Sequence, residues 1–296
     1  MAKNVVYLRI VVLAVIVVIL GYKIYQQTTV AQIRGNQQMD LTQQSAYWKK
    51  KILELGGTKA YEEFKKEYST RSYGEAHSQA HIFGEILYNI ERVKGITVCD
   101  SEFGYGCYHS FFGQAIASSG IDILPMFHNA CLDRYAELSL PCQHGIGHGI
   151  LSYLGNNKLK EALKLCWDLS QQPTGGCSSG VFMEYNFHTM DSDEEIKPRK
   201  LVGANPYSPC LELDEKFQNS CYFEQVQWWQ SVFGTDYKKI GMLCNAIKKE
   251  DNRKWCFFGV GNFAAPLTNY DSEETKKICS EMPSMDGVKS CREGAS

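Results

Sequence analysis

The sequence lacks the features that mark nucleic-acid binding. Its 31 Lys and Arg residues against 33 Asp and Glu residues give a formal net charge of −2, and the basic residues are scattered along the chain. There is no basic stripe and no basic patch interleaved with aromatic side chains, so nothing in the chain would track a phosphate backbone. We therefore predict no nucleic-acid partner.

Two zinc-binding motifs are also missing. No two cysteines have the spacing Cys-x-x-Cys, which argues against a zinc ribbon. The segment from His77 to His81 has two histidines four residues apart but no Glu beside the first, which excludes the zincin motif. Any use of these histidines in metal binding must rest on another arrangement.

The N-terminal segment begins with the apolar residues Val5 to Leu8 and, after Arg9, has no charge from Ile10 to Tyr22. Together these residues are long enough for a membrane helix if Arg9 reaches the headgroups. A cleaved signal peptide is the alternative. The small-x-small cleavage pattern is missing after the apolar run, and no cysteine is placed for lipidation. We therefore predict an uncleaved anchor over residues 1–26, a spacer over 27–45 and a helical repeat domain over 46–296.

The 12 cysteines, behind an export-type segment, indicate an oxidising compartment, so the bulk of the chain is predicted to be periplasmic or extracellular. They fall into six neighbouring pairs whose spacing would join the last turn of one helix to the first turn of the next, at Cα separations of roughly 5.5 Å. Metal thiolates are the alternative, and the absence of Cys-x-x-Cys spacing favours disulfides. The predicted pairs are Cys99/Cys107, Cys131/Cys142, Cys166/Cys177, Cys210/Cys221, Cys244/Cys256 and Cys279/Cys291.

The second cysteine of each pair recurs at intervals of 35, 35, 44, 35 and 35 residues. Each period reads as helix, turn, helix, with Pro173, Gly175 and Gly176 breaking the chain between two helices. A period near 35 residues of paired helices predicts an all-α solenoid with one disulfide per repeat, in which each hairpin buries its apolar face on its neighbours. The longer interval contains an inserted loop, and such insertions often rim a binding face.

The stretch from Ala162 through Cys166-Trp-Asp-Leu to Gly176-Cys177-x-x-Gly180 resembles the cysteine-stapled Sel1-like repeats, relatives of the tetratricopeptide repeat, in secreted bacterial proteins. The resemblance covers roughly residues 57–296 and concerns repeat architecture. It implies a concave surface that binds a ligand or a protein partner. It does not account for the histidines.

Five of the seven histidines occupy two fixed positions of the repeat. In three successive repeats a histidine stands two residues after the repeat cysteine, or after Glu75 in its place, and in two of them another follows four residues later. Histidines at i and i+4 leave the same face of a helix and form a two-ligand clamp for zinc, copper, nickel or iron. The first column is His77, His109 and His144, and the second is His81 and His148.

Stacked helices would place these positions about 8–10 Å apart, close enough for imidazoles to converge on one ion. We predict a divalent metal ion, zinc in preference to copper or iron. The alternative is a histidine-lined site for a proton or an organic ligand. A tetrahedral site with an open position needs three protein ligands. These are expected to be His81, His109 and His148, while His77 and His144 orient them or form a second metal position.

Glycines accompany the histidines. Gly145, Gly147 and Gly149 each cost about 1 kcal/mol relative to alanine inside a helix, so either a close helix neighbour or a ligand should compensate, and close packing is the preferred explanation. In the second column the middle repeat has Gly113, which is expected to leave space for the ion.

Two acidic residues are candidates for ligation or acid/base catalysis: Glu184, one place after the second column in the next repeat, and Glu85, one turn after His81. His128 and His188 fall outside the columns and are expected to be ordinary interior histidines. The leading hypothesis is a membrane-anchored metal-binding repeat protein, a candidate metal-dependent hydrolase or oxidoreductase. The alternative is a non-catalytic adaptor that binds a peptide or an envelope component in its groove.

Overall fold

A computed structural model describes residues 41–136, 139–171, 174–190, 198–201 and 205–296. The predicted anchor over residues 1–26 lies outside the described residues. In the part of the chain that is described, no helix is long and apolar enough to cross a membrane. The first described helix begins at Leu41, so helical structure starts inside the stretch predicted as a spacer.

The described residues form thirteen α-helices, short 3₁₀ turns and no strands, which confirms the all-α prediction. The helices are α1 (Leu41–Leu55), α2 (Gly57–Tyr68), α3 (Tyr73–Glu91), α4 (Gly106–Ser119), α5 (Leu124–Tyr135), α6 (Leu140–Leu154), α7 (Leu159–Leu169), α8 (Cys177–Phe187), α9 (Glu215–Phe233), α10 (Tyr237–Asn245), α11 (Glu250–Leu267), α12 (Ser272–Ser280) and α13 (Met285–Gly294).

The chain divides into two compact units, the first ending at Thr70. In the first unit α1 and α2 form a hairpin whose rings interlock: the ring centroid of Trp48 lies 5.1 Å from that of Phe64 and 6.3 Å from that of Tyr68. Gly56 connects the two helices at φ 78, a left-handed conformation that favours glycine.

In the second unit the later helix of each hairpin packs on the later helix of the hairpin before it. This gives an inner row in the order α3, α4, α6, α8, α9, α11 and α13. The helices α5, α7, α10 and α12 lie beside this row, each in contact with the helix that follows it. Equivalent positions of successive repeats therefore face one another along the inner row, and the histidine columns lie on its first three helices.

All six predicted disulfides are present, with Cα–Cα distances of 5.4 to 5.7 Å, and no described cysteine is free. The pairing prediction is therefore confirmed, and the alternative of metal thiolates is wrong for these residues. The bonds join Cys99 to Cys107, Cys131 to Cys142, Cys166 to Cys177, Cys210 to Cys221, Cys244 to Cys256, and Cys279 to Cys291.

The first cysteine of each pair was predicted in the last turn of a helix. This is correct for Cys166, Cys244 and Cys279, in α7, α10 and α12. Cys131 immediately precedes the last turn of α5. The prediction fails for Cys99, which lies outside any helix, and for Cys210, which lies in a 3₁₀ turn. The disulfides therefore fix hairpin geometry even where the first helix is replaced by a shorter segment.

The second cysteine of each pair was predicted in the first turn of the next helix. The prediction is correct in the first half of the repeat domain, where the cysteines are Cys107 in α4, Cys142 in α6 and Cys177 in α8. It is wrong in the second half, where the cysteines lie in the second turn: Cys221 in α9, Cys256 in α11 and Cys291 in α13.

An additional N-terminal turn on these three helices explains the difference. The helices begin at Glu215, Glu250 and Met285, well ahead of the cysteine. Each has an acidic residue in its first turn, which favours a helix N-terminus there, whereas α4, α6 and α8 have none. The later disulfides therefore attach to the side of an inner helix rather than to its start.

Glycines let the inner helices touch backbone to backbone, as predicted for α6. A Cβ on Gly147 would overlap the carbonyl oxygen of Cys177 on α8, and a Cβ on Gly180 would overlap that of His144 on α6. Each helix thus offers a glycine to a carbonyl of the other. A Cβ on Gly145 would come 2.7 Å from the Phe112 ring, so the compensation for these helical glycines is close packing.

We expect Gly147→Ala to destabilise the second unit by about 1–3 kcal/mol, because the added methyl group meets backbone, which cannot rotate away. Gly74→Ala on α3 is the matched control. A Cβ there meets nothing within 4 Å, so the change should be neutral or stabilise the helix by up to about 1 kcal/mol. Urea unfolding of the disulfide-intact protein measures both, and equal effects would contradict the close approach of α6 and α8.

Candidate metal centre

The two i and i+4 clamps and the histidine between them form one cluster. His77 and His81 project from α3, His109 from α4, and His144 and His148 from α6. The centroid of the His109 ring lies 5.3 Å from that of His81 and 4.2 Å from that of His148. The prediction that the histidine columns meet between stacked helices is therefore correct.

In the first clamp the Nε2 atoms of His77 and His81 lie 3.1 Å apart. The other ring nitrogen of His77, Nδ1, is 2.7 Å from the carbonyl oxygen of Phe103. Because a carbonyl oxygen can only accept a hydrogen bond, we assign the ring proton of His77 to Nδ1. Phe103, Gly104 and Tyr105 all have positive φ. This left-handed stretch presents the carbonyl to the imidazole, and the Nε2 lone pair of His77 then faces His81.

The second clamp repeats this arrangement with a carboxyl group. The Nε2 atoms of His144 and His148 lie 3.0 Å apart. Nδ1 of His148 lies 3.0 Å from Oε2 of Glu184, and Thr189 donates its hydroxyl proton to the same oxygen. The His148 ring proton therefore lies on Nδ1, directed at Glu184 and at the Thr189 oxygen 2.8 Å away. The Gly175 carbonyl accepts a hydrogen bond from the His144 ring.

The second clamp owes its orientation to the end of α8. His188 caps this helix in a left-handed conformation at φ 51, and its amide bonds the carbonyl oxygen of Glu184. The chain therefore turns back, so that Thr189 and the backbone amide of Met190 both donate to the Glu184 carboxyl group. Glu184 is 2% exposed and has partners for both oxygens. It is placed to hold the His148 ring in position.

Burial favours the neutral form of four of the imidazoles. Desolvation is the main cause that lowers the pKa of His77, and it lowers the pKa values of His81, His109 and His144 well below the usual value of 6.5. Repulsion from neighbouring histidines adds to the effect in each case. Neutral imidazole is the form that binds metal ions, so these four histidines are competent ligands at neutral pH.

Two sets of three histidines can each hold a metal ion, because the nitrogens within a set all lie within 4.8 Å of one another. His109 belongs to both. Each set has two buried histidines and one that is partly exposed, His81 in the first and His144 in the second, so each can be reached from solvent. The sets are His77, His81 and His109, and His109, His144 and His148.

The grouping differs from the predicted ligand set of His81, His109 and His148. His77 and His144, which were predicted to orient those ligands or to form a second metal position, present ligand atoms of their own. The expectation that Gly113 leaves space for the ion is wrong. The Met190 methyl group occupies that space and would overlap a Cβ on Gly113. Met190 reaches this position because the chain turns back after α8.

Of the two predicted acidic residues, only Glu184 is hydrogen-bonded to a histidine of the cluster in the part of the chain that is described. Glu85 is exposed on α3. His128 on α5 and His188 at the end of α8 stand outside both ligand sets, as expected, but both are half-buried and not the interior histidines that were predicted. Sequence reasoning missed Thr189 and the Phe103 carbonyl. Neither carries a sequence signal, since both depend on left-handed residues beside a helix end.

A buried acidic residue, Glu224, lies on α9, the helix that follows α8 in the inner row. Ser179 on α8 takes the place of the histidine in the first column, and Glu224 on α9 forms a hydrogen bond with it. Glu224 is 1% exposed, and its Oε2 has no hydrogen-bond partner among the described residues. Burial raises the pKa of Glu224 from 4.5 to about 8, so this group holds its proton at neutral pH.

Comparisons with protein-family models, with curated proteins and with solved structures found no match to this chain. The resemblance to Sel1-like repeats therefore remains an expectation drawn from repeat length and cysteine spacing. Inference about function rests on the geometry of the histidine cluster.

Glu224→Gln should change how stability depends on pH. The folded wild-type protein keeps a proton that the unfolded chain releases above pH 4.5, so this group lowers the free energy of unfolding as pH rises to about 8. The slope is about 1.4 kcal/mol for each pH unit. In urea unfolding, the free energy of unfolding of metal-free Glu224→Gln should therefore rise relative to that of the metal-free wild type between pH 5 and 8.

The matched control is Glu85→Gln, in which an exposed carboxyl group is replaced. Its stability difference from the wild type should stay nearly constant over the same range. A constant difference for Glu224→Gln as well would show that Glu224 ionises normally in the folded protein.

Proposed function

We propose that this protein binds a divalent metal ion through its histidine cluster. The observation that carries the proposal is the pair of Nε2 atoms in each clamp. His144 and His148 bring these atoms to 3.0 Å from each other, and His77 and His81 to 3.1 Å. Where the ring proton is held on Nδ1, as in His77 and His148, the Nε2 lone pair faces the other ring and is available to a cation bound between the two rings.

The spacing of these atoms agrees with coordination geometry. Zinc binds imidazole nitrogen at 2.0–2.1 Å, and two nitrogens on one tetrahedral ion then lie about 3.3–3.4 Å apart. In the first set, Nε2 of His81 lies 3.1 Å from Nε2 of His77 and 3.3 Å from Nδ1 of His109. Small rotations of the rings would make room for an ion.

Zinc is the preferred metal, ahead of copper or iron, because three neutral imidazoles with a fourth position open is a common zinc arrangement. An open position lets zinc lower the pKa of a bound water and generate a nucleophile, which would make the protein a metal-dependent hydrolase. Copper or iron would instead support an oxidoreductase. Glu184 would act by orienting His148, as a carboxylate does behind a zinc-bound histidine.

The setting we propose is an α-solenoid held outside the cytoplasm. The repeated inner row and the six disulfides support it. An N-terminal anchor over residues 1–26 would attach the domain to a membrane, and the concave face would remain open to a protein or envelope partner. The adaptor hypothesis becomes the better one if the histidines bind no metal.

Metal analysis of the full chain, produced without a polyhistidine tag, tests the proposal. Protein stripped with a chelator, reloaded with zinc and dialysed should retain tightly bound zinc. His109→Ala should lose most of it, since His109 belongs to both ligand sets. His128→Ala is the control and should retain the wild-type content. Zinc-free wild-type protein, or His109→Ala with undiminished zinc, would refute metal binding by the cluster.

Glu184→Gln should weaken zinc binding by about 10–100-fold, because the amide holds the His148 ring less firmly and does not raise its basicity. Glu85→Gln, an exposed change on α3, should leave affinity unchanged. Competition against a chromogenic chelator gives both values. Equal affinities would show that His148 is oriented by packing alone, and a larger loss in Glu85→Gln would reverse the roles assigned to the two acids.

A further inference from the structure

His109 is the one residue common to both ligand sets, and its two ring nitrogens have different surroundings. Nδ1 lies 3.3 Å from Nε2 of His81. Nε2 is fully buried and has no hydrogen-bond partner among the described residues. The whole residue is 1% exposed, so water does not reach it freely. A buried, unpartnered nitrogen that belongs to a set of possible metal ligands calls for a partner.

No tautomer of neutral His109 satisfies both nitrogens in the metal-free protein. If Nδ1 carries the proton it donates to His81, and the Nε2 lone pair stays buried without a donor. If Nε2 carries the proton, a buried donor has no acceptor, at a cost of about 1–3 kcal/mol. The charged form would satisfy Nδ1 only, and it is opposed by burial and by the four surrounding histidines.

The second ligand set offers the Nε2 atom of His109 a role as a metal ligand. The His109 ring lies against both rings of the second clamp, with centroids 4.2 Å from His148 and 5.9 Å from His144. Since Nδ1 is directed at His81, Nε2 is the ring nitrogen that remains to bind an ion held by His144 and His148. Each set is then complete without taking a ligand atom from the other.

We propose that the cluster binds two metal ions bridged by the His109 ring as an imidazolate, with Nδ1 on the ion held by His77 and His81 and Nε2 on the ion held by His144 and His148. The inference rests on the metal-binding function proposed above. When the second ion binds, His109 releases its ring proton to water, and the positive charge of the ion replaces that of the proton. Metal–nitrogen bonds of 2.0–2.1 Å on either side of one ring would hold the ions about 6 Å apart. That is wider than the roughly 3.5–4 Å of usual two-metal sites.

Stoichiometry separates this inference from the simpler one. The full chain without a polyhistidine tag, loaded with zinc, should retain two ions. His77→Ala and His144→Ala each damage one set only and should retain one, while His128→Ala should retain two. A single ion in the wild type would overturn the bridge and leave the metal-binding function standing. No ion would overturn both.

Copper(II) loading tests the bridge itself, because an imidazolate couples two copper spins and suppresses the electron paramagnetic resonance signal of isolated ions. The wild type should hold two copper ions and give a weak signal at low temperature. His144→Ala should hold one and give the full signal of an isolated ion, so the variant with less copper should give more signal. Two copper ions with an uncoupled signal in the wild type would overturn the bridge.

Discussion

The close approach of the inner helices is the constraint on which the candidate site depends. Between α6 and α8 a glycine of each helix faces a backbone carbonyl of the other, Gly147 against Cys177 and Gly180 against His144. Between α3 and α4 a Cβ on Gly106 would come 2.6 Å from the His77 carbonyl oxygen. Any larger residue would separate these helices. Because the backbones of these helices come so close together, imidazoles from three successive helices can meet.

The cluster also depends on the hydrogen bonds that fix the Nδ1 atoms of His77 and His148. A backbone carbonyl from a left-handed stretch fixes His77, and a carboxyl group fixed by Thr189 and the Met190 amide fixes His148. Burial lowers the pKa of the imidazoles, so the rings do not relieve their repulsion by taking up protons. Several ring nitrogens therefore face one another inside a buried cluster. This arrangement supports the proposal that the cluster binds a cation.

Much of the candidate site could be predicted from the repeat register of the sequence. Aligning the cysteines predicted the six disulfides and the five histidines that meet. Both depend on which face of each inner helix packs against its neighbours, and the repeat register indicates that face. What surrounds the rings was not predictable in this way. Phe103 and Thr189 act where the chain leaves helical geometry, and their roles depend on positive φ at Phe103 itself and at His188. Met190 fills the space beside Gly113 for the same reason. Glu224 was missed because it stands where other repeats have glycine, one residue beyond the column that was followed.

The start of the domain shows a second limit of pattern reasoning. Gln- and Thr-rich sequence before Ala46 has the composition of a spacer, yet α1 begins at Leu41. Helices α1 and α2 pack on each other and belong to the first of the two compact units. The histidine column extends the repeat register back to Glu75 and so assigns α3 to the repeat, but nothing in the sequence marked whether α1 and α2 belong to it.

The central claim is that the clamp nitrogens are metal ligands, and anomalous X-ray diffraction at the zinc absorption edge tests it most directly. In crystals of the zinc-loaded protein, the account predicts an anomalous peak about 2.0–2.1 Å from the Nε2 atoms of both His144 and His148. A second peak should lie beside His77 and His81. Zinc found only on exposed carboxylates, with the five imidazoles as close to one another as in the metal-free protein, would contradict the account.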